Sequence, residues 1–317
     1  MQASLILGPR EIEMRDVPMP EPKNGEILLK MLNAGICGSD LGNYHRGTTS
    51  RSGPPQPGQC GHEFVGEVID TSVPSVKTGQ RLLVMPPLGN GFAEFLAVPP
   101  DCTIPVPDSI ESPVALLAQQ LGTILHALRH LGSLLDQTVA VVGAGPAGLS
   151  FAQMAIKMGA RAVYSVESRP ARRDVARNKI GVDRAFAPAE IPELLELLGG
   201  GADVVIDAAG GQSAIDTAYH LVRKNGHVLR FGLPHGATTF DHDLAIRKEV
   251  NAHHAVGAQQ EPNLACFRLA MRLIERGELD PTVSVSHHMS LAQVPDALAL
   301  AADPNANAVK IVIHPNS

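Results

Sequence analysis

The sequence of 317 residues contains no tryptophan, and tyrosine and phenylalanine supply only 3 and 8 rings. Stacking platforms for single-stranded nucleic acid therefore have little to be built from. Basic excess is missing as well: 26 lysines and arginines face 32 aspartates and glutamates, a net charge of −6. That balance gives no field for nucleic acid or an anionic membrane, and neither is an expected partner. Cysteine is scarce. Cys37, Cys60, Cys102 and Cys266 are too few and too scattered for a disulfide framework, which leaves thiols that are structural, metal-binding or reactive. No apolar run has the length of a membrane span, since "ALLAQQLGTILHALRHLGSLL" (115–135) is broken by Gln119, Gln120, His126, Arg129 and His130 and reads as amphipathic helix. The N-terminal "MQASLILGPREIEMRDVPMPEP" carries acids and prolines where a signal peptide needs a basic start and an apolar run. A cytoplasmic protein is expected.

What is present is an ordinary globular composition, 44% hydrophobic and 18% charged, on a chain long enough for two domains. Up to about Pro107 the texture is short β-like runs separated by Gly and Pro, such as "EILLKML", "EFVGEVID", "QRLLVM" and "GFAEFLAVP". From about Ser112 helical patterns alternate with short apolar strands, which predicts a parallel sheet with crossover helices. The predicted strands are 138–143, 161–167, 184–187, 203–210, 227–232 and 253–258, enough for a six-stranded, doubly wound sheet. Helices opened by Pro146 and by Pro170 fit between them, the second closing at Gly181. After about Glu278 strand texture returns in "TVSVSHHMS" and "AVKIVI", as if the last residues fold back onto the first domain.

In "VAVVGAGPAGLS" the residues Gly143, Gly145 and Gly148 form G-x-G-x-x-G directly after a predicted strand and at the opening of a helix that begins with Pro146. Gly143 permits the tight turn, Gly145 lets backbone approach a pyrophosphate, Gly148 lets helix and strand pack, and the helix N-terminus offers N–H groups to phosphate. Glu167, 19 residues beyond Gly148, stands where a carboxylate accepts bonds from the adenosine ribose. Its charge repels a 2′-phosphate, so NAD is expected, with NADP less favoured. Arg169, Arg172 and Arg173 pull the other way.

By themselves Cys37 in "AGICGSD" and His62 in "CGHEF" read most simply as a buried thiol and a hydrogen-bonded histidine. Taken with the other motifs, however, the sequence resembles the medium-chain dehydrogenase/reductase superfamily, and within it the zinc-dependent polyol, sugar and threonine dehydrogenases. The resemblance is carried by "AGICGSD" followed by Tyr44 and Gly47, "GHEFVGEV" (61–68), "GNGFAEFLAVP" (89–99), "GAGPAG" (143–148), "GADVVIDAAG" (201–210), "GHVLRFGLP" (226–234) and "AVKIVI" (308–313), in the family's order. It implies a fold of the α/β class: a mostly β, GroES-like catalytic domain from residues 1–117 and 278–317, and a Rossmann domain over 118–277, with the active site in the cleft between them. It also implies hydride transfer between an alcohol carbon and a nicotinamide. Cys37 and His62 match the first two catalytic zinc ligands, Glu63 a ligand or near-ligand carboxylate, and Ser39 the hydroxyl that passes the alcohol proton onward. Thr123 and Leu233 are expected to touch the cofactor.

Three positions depart from that pattern. The family's third ligand is commonly a Glu seven residues before the His of a helix like "LGTILHAL", and here that place is Gln119, a poor zinc ligand; Glu63, water or, more remotely, Cys60 would complete the site. The four-cysteine lobe that holds structural zinc in many relatives has no counterpart, because only "MPPLGN" (85–90) separates "GQRLLV" from "GFAEF". One catalytic zinc and no structural zinc are expected. The relay histidine five residues after the ligand cysteine is Gly42, which leaves ribose and water, or His45, to carry a proton from Ser39.

Blander roles are open to several of these residues. Ser39 or Asp40 could cap a helix beginning with "DLGNYHRG", and Tyr44 could line a pocket or pack in a core. The pairs His253–His254 and His287–His288 lie in alternating runs and read as structural or interface residues. The expected activity is oxidation of a secondary alcohol of a polyol, sugar or sugar-derived compound to a ketone, or the reverse, by a homodimer or homotetramer. The alternatives are a zinc-free quinone or enoyl reductase and a dinucleotide-binding protein without catalysis.

Overall fold

Glycine and proline punctuation cuts the first hundred residues into short strands. The computed structural model, which describes residues 1–47, 56–234 and 236–316, shows how they pair. A hairpin of β1 (Gln2–Gly8) and β2 (Glu11–Asp16) precedes β3 (Ile27–Ile36) and helix α1 (Gly38–Arg46), then β4 (Glu63–Thr71), β5 (Arg81–Val84), β6 (Phe95–Val98) and β7 (Thr103–Pro105). Helices α2 (Ser112–Leu116) and α3 (Ala118–Leu128) lead into an alternation: β8 (Thr138–Val142), α4 (Pro146–Lys157), β9 (Ala162–Val166), α5 (Pro170–Val175), β10 (Arg184–Phe186), α6 (Ile191–Leu197), β11 (Ala202–Asp207), α7 (Gln212–Leu221), β12 (Val222–Arg230), α8 (His242–Lys248) and β13 (Asn251–His254). Then follow α9 (Ala265–Glu275), β14 (Val285–Ser290), α10 (Val294–Ala302) and β15 (Lys310–His314). Two compact units result, residues 1–122 with 258–317, and residues 123–257. No helix among the described residues is long and apolar enough to cross a membrane.

In the first unit the sheet runs β14-β15-β3-β4-β5-β7, with β6 also on β3. The near-continuous apolar run of β3 is explained by its central place, buried along almost its whole length. Antiparallel pairing sets Ile36 of β3 opposite Ile311 of β15 and Gly35 opposite Glu63 of β4. Three distant stretches of sequence thus meet at the end of β3. Ile27, Leu29, Met31, Phe64, Phe92, Ile311 and Ile313 fill the core beneath.

In the second unit all strand pairs are parallel, in the order β10-β9-β8-β11-β12-β13. Numbered within the unit this is 3-2-1-4-5-6, the doubly wound order whose switch point lies beside the first strand. The run 253–258, expected as a strand, is one only as far as His254; the strand starts at Asn251 and stops where its partner β12 stops, at Arg230. In turn β12, expected over 227–232, begins at Val222 and ends at Arg230, with a shift of register against β11. The ammonium of Lys248 donates to the carbonyls of Tyr219, His220 and Val222, which finishes α7 with a positive charge at its C-terminus.

Candidate active site

Cys37 lies in extended conformation between the last residue of β3 and the first of α1. The helix begins at Gly38, so neither Ser39 nor Asp40 is the residue before its first turn. Asp40 instead reaches back: its Oδ2 accepts the Cys37 N–H at 2.8 Å, and its Oδ1 is 3.1 Å from Nδ1 of His62. A proton on Nδ1 directed at this carboxylate reserves Nε2 for a metal, which would displace the second proton of the ring. Burial pushes the Asp40 carboxyl up. Burial also opposes a charge on His62, but Asp40 and then Cys37 outweigh it and hold that ring well above the usual histidine pKa. Ser39 Oγ stands 3.3 Å from Nδ1 and 3.5 Å from Nε2 of His62. Cys60 is buried with its thiol on the Asp40 carbonyl at 3.5 Å, and burial, with Asp40 adding to it, pushes that thiol up.

Glu63 opens β4 and is wholly buried. The absence of a side chain at Gly35 makes room for it, since a Cβ there would lie 2.1 Å from Glu63 Oε2. That oxygen accepts from the ammonium of Lys310, also wholly buried, which donates as well to the Ile36 carbonyl at 3.1 Å. The other oxygen, Oε1, is buried without a hydrogen-bond partner. Sγ of Cys37, a ring nitrogen of His62 and a carboxylate oxygen of Glu63 all lie within 4.8 Å of one another. Sulfur, nitrogen and oxygen donors so grouped, the oxygen on a carboxylate that keeps one buried oxygen unsatisfied, suit a zinc ion with a position left open. Gln119 is buried on α3 of the same unit, and Tyr44, which could have lined a pocket, is packed in the core with Ile6 and Ile12. His45 accepts from Arg10 Nε at Nδ1.

Residues 23–108 match the model of the alcohol dehydrogenase GroES-like domain, and residues 146–276 that of zinc-binding dehydrogenases. The chain belongs to the medium-chain dehydrogenase/reductase superfamily. As a member it is an NAD(P)-dependent oxidoreductase of the alcohol dehydrogenase class. It is 27% identical to the sorbitol dehydrogenase of Bacillus subtilis, with 100% of this chain and 98% of that protein covered. It is 29% identical to the L-threonine 3-dehydrogenase of Edwardsiella ictaluri, over 88% of this chain and 90% of that one. The crystal structure of 2R,3R-butanediol dehydrogenase from Bacillus subtilis shares the fold, with a TM-score of 0.85 at 22% identity and 99% of each chain covered.

The superfamily's glycine turn follows β8, and its three glycines have different reasons to be there. Gly143 has φ +98°, and a Cβ on Gly148 would lie 1.8 Å from the Gly143 carbonyl oxygen, so the turn itself requires both. Gly145 has φ −70°, and a Cβ there would meet only Arg172 Nη1, at 3.5 Å. Nothing in the chain itself demands a glycine at that place. Pro146 holds the first turn of α4.

Glu167, just past β9, is buried with its carboxylate turned onto the same loop. Its Oε2 accepts from Ala144 N–H at 2.7 Å, and its Oε1 from Arg169 N–H at 2.9 Å and from the Ser168 hydroxyl at 3.1 Å. Arg173 donates to the carbonyls of Glu167 and Ser168. Thr123 is half-buried on α3, and Leu233 is half-exposed beyond β12.

Sequence reasoning named Cys37, Ser39, His62 and Glu63 but missed Lys310, the fit of Gly35 against Glu63, and Asp40 as the partner of His62. One signal was available: Lys310 is the lone charge inside the apolar run "AVKIVI", and a charge buried there needs a partner.

Proposed function

We propose that this chain oxidises a secondary alcohol of a polyol or sugar-derived compound to the ketone, or runs the reverse reduction, with NAD as cofactor and one zinc ion held by Cys37, His62 and Glu63. The observation that carries the reading is the buried Glu63 carboxylate, one of whose oxygens has no hydrogen-bond partner, grouped with a thiol and an imidazole. Bound zinc supplies a Lewis acid that makes an alcohol proton easier to lose, and the nicotinamide supplies the hydride acceptor.

The chain's own residues do the rest. Asp40 orients His62 by holding its Nδ1 side, which reserves Nε2 for the metal. Lys310 holds one oxygen of Glu63, so the other is left for the metal in place of the carboxylate that Gln119 lacks. The Ser39 hydroxyl, beside His62, takes the alcohol proton and releases it to water or to the cofactor's ribose. Gly145 and the α4 N-terminus hold the pyrophosphate, and Glu167 sets a negative charge against a 2′-phosphate, which favours NAD over NADP. Thr123 and Leu233 are assigned cofactor contact on the family pattern.

The sorbitol dehydrogenase and threonine dehydrogenase relatives support an alcohol bearing further polar groups as substrate. The division of labour belongs to this proposal too: residues 1–117 with 278–317 for catalysis, and 118–277 for the dinucleotide. No structural zinc is proposed, because residues 85–94 between β5 and β6 include no cysteine. A cytoplasmic homodimer or homotetramer fits the outer edge of β13, which has no strand partner among the described residues.

The test is NADH formation over a panel of polyols, sugars and amino alcohols, before and after removal of zinc and on its return. Chelation should abolish turnover, zinc should restore it, and Cys37→Ala should not be restored. Chelator-insensitive reduction of quinones or activated alkenes, with no alcohol oxidised, would reject the assignment.

A further inference from the structure

The parallel sheet carries a second group of metal-ligating side chains that hydride transfer does not use. On adjacent strands, His227 of β12 lies opposite Asn251 of β13, and His253 of β13 lies opposite Leu229 of β12, so the two histidines are diagonal neighbours. Their rings are nearly parallel, 17° apart with centroids 5.3 Å apart, and Nδ1 of His227 is 3.1 Å from Nε2 of His253. Both are half-buried, held by the sheet on which they stand. His130, exposed after α3, is close enough for its charge to bear on His253, and its ring meets that of His126 edge-on at 5.5 Å.

Two imidazole nitrogens at this separation either share a proton or share a metal ion. Nitrogens about 2.0–2.1 Å from one tetrahedral ion stand about 3.3 Å apart, so a dication needs only a small opening of the pair. Burial, with His227, His130 and His254 adding to it, pushes His253 below the usual histidine value, so the ring is neutral and able to ligate at neutral pH. The other cross-strand pair shows the contrast. His288 Nδ1 is 2.8 Å from His314 Nε2, but the Asn33 amide is 3.0 Å from His314 Nδ1, so both ring nitrogens of His314 are already engaged within the chain.

We propose that His227 and His253 form a second divalent-metal site on the edge of the parallel sheet, selective for imidazole-seeking cations such as Cu2+, Ni2+ or Zn2+. A metal takes the place of the proton the two rings share, and water completes the coordination.

The site is tested on the full-length enzyme with its catalytic zinc in place, by equilibrium dialysis against Ni2+ and by electron paramagnetic resonance with Cu2+. The wild type should take up one further ion per chain, with a Cu2+ spectrum of nitrogen ligation. His253→Asn and His227→Gln should each weaken that uptake roughly tenfold or more while alcohol oxidation is unchanged. His288→Asn should bind as the wild type does. Circular dichroism confirms that the variants fold. Absence of the further ion in the wild type, or its retention in both His227→Gln and His253→Asn, would overturn the proposal. This result is independent of the catalytic reading, which stands or falls on chelation of the first site.

Discussion

The ammonium of Lys310, in the last strand, donates to the carboxylate of Glu63, the first residue of β4, and neither side chain is exposed to solvent. The pair ties the last strand to β4 across the end of β3 and engages Glu63 Oε2, leaving Oε1 buried without a hydrogen-bond partner. Lys310→Met removes one partner of a buried pair and strands the other. Metal-free protein should lose about 3–5 kcal/mol in urea unfolding, and zinc should recover part of it by neutralising Glu63. A variant as stable as the wild type would show that the ion pair contributes nothing to the fold.

Two alanine substitutions in the glycine turn should behave differently. Gly145→Ala meets no clash within the chain and should leave stability within about 0.5 kcal/mol of the wild type while raising KM for NAD. Gly148→Ala drives a Cβ against the Gly143 carbonyl and should lower the melting temperature itself. Thermal unfolding and cofactor titration of both proteins separate the effects; a Gly145→Ala enzyme with unchanged KM would remove the phosphate from that place.

Thiol chemistry should sort the cysteines. Burial, with Asp101 adding to it, pushes Cys102 up to about 12, and burial with Asp40 raises Cys60, so both resist iodoacetamide at pH 8. Cys37, half-buried before a helix N-terminus, should be the first alkylated in metal-free protein and protected by zinc. Peptide mass spectrometry reads the order, and equal labelling of Cys37 with and without zinc would count against its being a ligand.

Acid stability should depend on Asp203. Burial works against its charge, but the Thr138 N–H at 2.7 Å, the Thr138 hydroxyl at 2.6 Å and Arg223 Nε at 2.6 Å outweigh it and bring the carboxyl to about 2. A depressed carboxylate stabilises the fold above its ordinary value near 3.8 and loses that contribution as pH falls through about 2. The contribution is about 2 kcal/mol at neutral pH. Asp203→Asn should therefore flatten the acid limb of the stability curve. An unchanged limb would assign acid unfolding to other carboxylates.

How far these features could be read in advance depended on their range along the chain. The glycine turn, its strand and its helix are local, and β8, α4 and β9 lie within a residue or two of their expected bounds. Cys37 and His62 are 25 positions apart, yet each stands in a recognisable local pattern. Lys310 and Glu63 are 247 positions apart and meet only because β15 pairs with β3 and β3 with β4, which no local pattern encodes. The end of β13 was misplaced for a similar reason: the apolar run continues to Ala258, but the partner strand does not. At the start of "TVSVSHHMS", Asp280 caps a turn at Thr282, and β14 begins only at Val285.

The central claim is that Cys37, His62 and Glu63 hold one zinc ion, and zinc content per chain by mass spectrometry of the purified protein tests it most directly. The account predicts one zinc per wild-type chain and nearly none in Cys37→Ser or His62→Ala, with Glu63→Gln intermediate because Lys310 and the other two donors remain. A wild type without zinc after growth in zinc-replete medium, or a Cys37→Ser protein that keeps its full equivalent, would contradict it.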